Sequence, residues 1–331
     1  MIELKKGINL GGFLSQCVHT QEHYDSFIGR EDLHIIRERG YDHVRLPIDY
    51  EVFETEDGTP IESGYDRVRE VIEWCRQEKL NIVLDLHKAY GYDFNNAGDS
   101  DKNNLFASPV LQERFISLWK NIAEHYHGYD HVAFELLNEV VEESNARAWN
   151  DLIRRSVQAI RTVAPAAPII YGGIMWNSAT TVKYLEKTDD PNVIFTFHFY
   201  EPLLFTHQKA YWVKNMDMTA DVHYPAAKAD YEPGCRAIGD QGGVAMNYGG
   251  DKMDKEFLRT VMMDAIDAAK AAGRSLYCGE FGVIDRAPSA DRARWMKDVY
   301  ELFGEYNIGS ALWTYKGMDF ETSGMCFADE Y

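Results

Sequence analysis

Four glutamates crowd into FELLNEVVEE, residues 134–143, and a fifth, Glu280, follows a glycine in LYCGEFG. Elsewhere Arg45 lies in HVRLP, His87 follows VLDL, His198 and Tyr200 alternate with phenylalanines in FTFHFYEP, and Trp313 ends SALW. These are residue types that move protons, hold charge or attack carbon. Two carboxyl groups facing one another across a pocket divide labour, because each raises the other's pKa: one stays ionised while the other keeps its proton. An arginine beside one of them lowers that carboxyl by about 1–3 pKa units and so decides which is which. Within FELLNEVVEE the candidate is Glu139, which follows Asn138 at the end of an apolar run. Glu135 lies inside that run on the same alternating face, where it suits a buried partner for a barrel cation. Glu142 and Glu143 fall beyond it and solvate the loop or the start of the next helix.

Positioning such groups requires strands that end at a common mouth. Short apolar runs at 7–10, 43–46, 81–86, 132–136, 168–172, 193–197, 275–279 and 310–313 read as strands, too continuous for a sheet with one wet face. Between them, 30–39, 66–78, 109–126, 145–163, 254–272 and 290–306 carry helical periodicity, the strongest stopping at Gly273 as a C-terminal cap. Alternating strands and helices predict parallel β/α units, and eight of them predict an α/β fold closed as a (β/α)8 TIM barrel, with a doubly wound open sheet as the rival. The whole chain, 1–331, is expected to form a single catalytic domain. Residues 201–251 are far too long for an ordinary loop and predict a site-building excursion after strand six. The stretch after Trp313 does not read as a helix, so the eighth helix is expected to be missing or truncated. In a barrel the site forms at the C-terminal strand ends, where Arg45, His87, Asn138, Glu139, His198, Tyr200, Glu280 and Trp313 all fall.

Bulk properties remove several classes. A formal net charge of −19 argues against a nucleic-acid or anionic-membrane partner, since both demand a basic face. There is no run of eighteen apolar residues to span a bilayer, and the start lacks the features of a signal peptide. The expected location is cytoplasmic as the sequence stands, or secreted if a signal has been removed. Five cysteines without CxxC spacing fit reduced thiols better than zinc or a disulfide framework. GxSxG, GxGxxG after a strand, GxxxxGK[ST] and HExxH are all missing. Asp85 with His87 is a weak metal pair, and Asp85 is better read as a buried barrel partner. No metal and no organic cofactor are expected.

Strands four and seven of a barrel face each other, so Glu139 and Glu280 meet across the mouth. Retaining glycoside hydrolysis needs this pairing, with carboxyls roughly 5–5.5 Å apart; inverting enzymes hold them farther apart to admit a water. The ordered set RLP, DLH, LLNE, HFY, GEFG and LW–Y resembles glycoside hydrolase family 5, the cellulase-type (β/α)8 family of clan A, from residue 7 to 316. The resemblance implies Glu139 as acid/base and Glu280 as nucleophile. It further implies that Arg45 holds the nucleophile ionised, Asn138 binds the sugar 2-hydroxyl, and His87 and His198 contact sugar hydroxyls in the −1 subsite. Tyr200 would bond the nucleophile and Trp313 would stack beneath the −1 sugar. One departure stands out: the family's frequent NEP is Asn138-Glu139-Val140 here.

The expected activity is an endo-β-1,4-glucanase acting on β-glucan or β-linked oligosaccharides. An exo-acting β-1,3-glucanase or β-glucosidase is the alternative, towards which GINLGGFL and DLHKAYGYDFNNAGDS lean, followed by a β-mannanase. A non-catalytic carbohydrate-binding barrel is the reading from another class, and the presence of both carboxylates speaks against it. Phe205, Tyr211 and Trp212 in the excursion, with Tyr224 and Tyr231, are candidate subsite walls. Oligomeric state is not legible.

Overall fold

The computed structural model describes residues 2–322. Eight strands among them, all parallel, close a barrel: β1 (Lys6–Asn9), β2 (His43–Asp49), β3 (Asn81–Lys88), β4 (Val132–Glu135), β5 (Ile169–Gly172), β6 (Val193–Phe199), β7 (Ser275–Phe281) and β8 (Gly309–Leu312). β1 closes the ring by pairing with both β8 and β2. The expected strands all form, seven within two residues of their anticipated bounds and β2 running three residues longer, to Asp49. The open-sheet rival fails because no strand is left as an edge.

The expected helices also form: α1 (Arg30–Glu38), α2 (Glu62–Glu78), α3 (Pro109–Tyr126), α4 (Ala146–Arg161), α6 (Lys255–Ala272) and α7 (Ser289–Tyr306). Local chemistry sets their ends. Ser108 caps α3, with Pro109 in its first turn. Asp254 caps α6, which stops at Gly273 in the left-handed region at φ 66°. A 3-10 turn, Ala179–Tyr184, replaces a helix between β5 and β6. No described helix is long and apolar enough to cross a membrane.

The excursion after β6 has its own structure: α5 (Lys228–Ala237) and a two-stranded antiparallel ribbon of Ala226–Ala227 with Lys252–Met253. It is tied to α7, where the Trp295 indole donates to the Glu201 carbonyl at 2.9 Å and the Tyr224 hydroxyl donates to Asp298 at 2.8 Å. After β8, residues 313–322 carry no helix. The remainder of the expected missing or truncated eighth helix lies outside the described residues.

The barrel interior changes character along its axis. Its lower layer is apolar: Val83, Ala133, Ile170, Ile194, Tyr277 and Ala311 pack together. Two residues further along each strand, on the same face, stand Asp85 on β3, Glu135 on β4 and Thr196 on β6. All are buried, and the next step on β3 and β6 brings His87 and His198. A polar layer therefore rests on an apolar floor at the C-terminal end.

Candidate active site

Arg45 is the hub of this layer, and it is fully buried. Nε and Nη2 grip Glu135 at 2.8 and 3.0 Å, a bidentate pairing. Nη2 also donates to Asn138 Oδ1 at 2.8 Å, while Nη1 donates to Asn9 Oδ1 at 3.0 Å and Glu280 Oε1 at 2.7 Å. Asp85 Oδ2 lies 3.1 Å from Nη2. The guanidinium fork is thus held by groups from β1, β3, β4 and β7, and its position is fixed before any ligand arrives. Glu135 is the buried cation partner anticipated for it. With its Oδ1 committed to Arg45, Asn138 retains its amide nitrogen as a donor.

Glu280 accepts from Arg45 on one oxygen and from the Tyr200 hydroxyl on the other, at 3.0 Å. Opposite it, Glu139 Oε1 lies 2.8 Å from His198 Nδ1. One carboxyl oxygen of each glutamate and a His198 ring nitrogen all fall within 4.8 Å of one another. His198 Nδ1 also lies 3.7 Å from Glu280 Oε2, so the two carboxyls meet at one imidazole ring. Burial pushes the Glu139 carboxyl well above the usual carboxylate range, and the charge of Glu280 pushes it further. Burial raises Glu280 as well, but Arg45 and the Tyr200 hydrogen bond pull it back. The proton shared by this pair therefore resides on Glu139. Burial holds His198 well below the usual histidine range, so its ring is neutral.

A β-bulge aims Glu280. Phe197 pairs with Cys278 but His198 pairs with Glu280, and on the other side Ser310 pairs with Cys278 but Leu312 with Phe281. One extra residue on β7 breaks the alternation and turns Glu280 into the mouth. Gly279 sits at that break. A Cβ there would approach Thr196 Oγ1 at 3.1 Å and His198 Nε2 at 3.3 Å.

On the β3 side, His87 stacks parallel to Trp313, with centroids 5.9 Å apart and planes at 4°. Its Nδ1 is 2.7 Å from Asp85 Oδ2, and Gln16 Nε2 approaches its Nε2 at 3.2 Å. Burial lowers its pKa to about 4, so this ring is neutral too. Arg45, His87, Asn138, Glu139, His198, Tyr200, Glu280 and Trp313 thus converge; Arg45 is the exception to the strand-end reading, because β2 runs on to Asp49 and its long side chain reaches the site from inside the strand.

The excursion aromatics divide. Tyr211 and Trp212 are 74% and 44% exposed, and Trp212 connects through the His207 ring to Tyr200. Phe205, Tyr224 and Tyr231 are corrections: all three are buried, with Phe205 packed on Tyr224, and none offers a face to a sugar. They belong to the main hydrophobic core and anchor the excursion to it. Two residues at the site escaped the sequence reading. Asn9 fixes Arg45 from below and donates to the carbonyls of Gly279 and Ala311. Gln16, at φ 53°, is held by Asp49 through its backbone N–H at 2.9 Å. For Asn9, its place in the otherwise apolar GINLGG was a usable signal; Gln16 had none.

Comparison with known proteins gives this geometry its relatives. A family model described as cellulase (glycosyl hydrolase family 5) matches residues 5–319. Endoglucanase C of Acetivibrio thermocellus is 41% identical over 326 residues, covering 97% of this chain and 94% of its own. Cellodextrinase A of Ruminococcus flavefaciens is 38% identical over 304 residues, or 92% of this chain and 83% of its own. Among solved structures, a hyperthermophilic endo-β-1,4-glucanase in complex with substrate superposes with a TM-score of 0.77 at 25% identity, over 96% of this chain and 91% of that one.

Proposed function

The chain belongs to glycosyl hydrolase family 5, and from that premise we propose that it is an endo-β-1,4-glucanase working by retaining double displacement. The observation that carries the mechanism is the asymmetric carboxyl pair: both carboxyls approach His198 Nδ1, at 2.8 and 3.7 Å, and of the two only Glu280 is bonded to Arg45 and Tyr200. Glu280, held ionised, attacks the anomeric carbon while Glu139 gives its proton to the departing glycosidic oxygen. The ester removes the charge of Glu280, which lowers the pKa of Glu139 and lets it act as base towards water in the second step. Asn138 donates to the 2-hydroxyl, an interaction that tightens at the oxocarbenium-like transition state and so contributes to rate. Trp313 presents a flat apolar face to the −1 sugar. β-1,4 specificity and internal cleavage are supported by the endoglucanase relatives.

The test is a time course on carboxymethylcellulose beside a panel of β-1,3- and mixed-linkage glucans and mannan. Endo action predicts that viscosity falls well before reducing ends accumulate, on β-1,4 chains above the others. Reducing ends rising in step with the viscosity loss, or faster turnover of the β-1,3-glucan, would replace this reading with the exo-acting one.

A further inference from the structure

Of the three carboxyls around Arg45, Asp85 has no part in the reaction as described. Its Oδ2 lies 2.7 Å from His87 Nδ1 and 3.1 Å from Arg45 Nη2. Its Oδ1 is buried without a hydrogen-bond partner among the described residues. The charged and titratable groups around it are Arg45 and Asp49 of β2, His87 of its own strand, Glu135 and Glu139 of β4 and its end, and Glu280 of β7; Lys88 and His19 lie beyond, against Asp49. Full ionisation would set Asp85, Glu135 and Glu280 against one guanidinium. A buried carboxylate oxygen with no donor also keeps its whole desolvation penalty. Both features favour a proton on Asp85, in keeping with burial raising it to about 7.

We propose that Asp85 is a positioning residue for the reaction: through Oδ2 it bridges Arg45 and His87 and fixes the sugar-facing ring, and its charge, once formed, keeps the proton on Glu139. The inference rests on Glu139 as the acid and Glu280 as the nucleophile. Ring orientation follows from the bridge, since Asp85 holds His87 Nδ1 beside the Trp313 face and turns Nε2 towards Gln16 and the mouth, where a hydroxyl would share it with the Gln16 amide. The electrostatic part follows from charge: ionised Asp85 adds to the negative field that already raises Glu139. The acid thus stays protonated to a higher pH than burial and Glu280 alone would hold it.

The experiment measures kcat/KM against pH on an aryl cellobioside for wild type, Asp85→Asn, Asp85→Ala and Glu280→Ala. Asparagine keeps an acceptor for the His87 N–H but cannot ionise. Its plateau should stay within about tenfold of wild type, roughly one hydrogen bond. Its acid limb should not move, because Asp85 is already neutral there, and its alkaline limb should move to lower pH. Alanine releases the ring and should lose about 10²-fold, the scale of an ångström's misplacement. An unmoved alkaline limb in Asp85→Asn overturns the electrostatic part, and an Asp85→Ala plateau equal to that of Asp85→Asn overturns the positioning part. If Asp85→Ala does not fold, Asp85→Leu, which likewise cannot accept from His87, takes its place for the positioning part, and the pH profile of Asp85→Asn still decides the electrostatic part. An active Glu280→Ala would instead remove the two-carboxylate reading, so the two failures are distinguishable.

Discussion

Replacing Arg45 with lysine keeps a positive charge in the barrel but removes the fork. Arg45 delivers hydrogen bonds to Glu135, Asn138, Asn9 and Glu280 from one rigid plane. A lysine ammonium is a compact charge with three donors and cannot span Glu135 bidentately while also reaching Glu280. If the Glu280 contact is the one lost, the change is that of one hydrogen bond to a charged group, about 1.5–3 kcal/mol. Since 1.36 kcal/mol corresponds to one pKa unit, Glu280 should rise by about 1–2 units. The sign follows from its role: the nucleophile works ionised, so a higher pKa removes activity from the acid side. Profiles of kcat/KM against pH on an aryl cellobioside should show the acid limb of Arg45→Lys moved upward by about 1–2 pH units, with the optimum reduced roughly 10–10²-fold. An Arg45→Lys enzyme whose acid limb coincides with that of wild type would refute the reasoning, whatever its overall rate.

Tyr200→Phe removes the second hydrogen bond to Glu280, seen at 3.0 Å, and should lower kcat/KM by about 10–10²-fold while also moving the acid limb upward. Glu139→Gln should stabilise the fold, and increasingly so as pH rises. Because the folded-state pKa of Glu139 is raised, its contribution is fully present below the ordinary carboxyl value and is lost as pH climbs through the folded value. Thermal melts across that range should show the variant gaining on wild type with pH; a constant difference would contradict the raised pKa. Gly279→Ala places a methyl 3.1 Å from Thr196 Oγ1 and 3.3 Å from His198 Nε2 at the bulge that aims Glu280. Its kcat/KM should fall about 10²-fold, with a melting temperature that moves far less, and wild-type activity would show the bulge to be tolerant.

The barrel was legible because its strands are buried on both faces and read as continuous apolar runs, and because each helix carries its own stop signal, such as Gly273. The strand ends led to His87, Glu139 and Glu280 for the same reason, whereas Arg45 lies inside β2. Alternation alone, however, would have misdirected Glu280. Tyr277 faces the barrel interior, and a regular strand would then have turned Phe281 inward in its place. Only the bulge at Gly279 reverses that, and a pairing offset is set by two neighbouring strands rather than by a local sequence. The excursion failed differently. Residue type does not tell a groove wall from core packing, and Phe205, Tyr224 and Tyr231 are buried in the main core, where they anchor the excursion to the barrel. Asn9, a lone amide in an apolar strand, carries a signal in its residue type, whereas Gln16 reaches His87 from a loop whose geometry leaves no periodic trace.

The central claim is that Glu280 forms a covalent intermediate while Glu139 serves in turn as acid and base. Proton NMR of the first-formed product, recorded before mutarotation, tests it most directly. Two displacements at the anomeric carbon predict that the β-anomer appears first from a β-1,4-linked oligosaccharide. Initial release of the α-anomer would mean a single displacement by water, and the account of the carboxyl pair would be wrong.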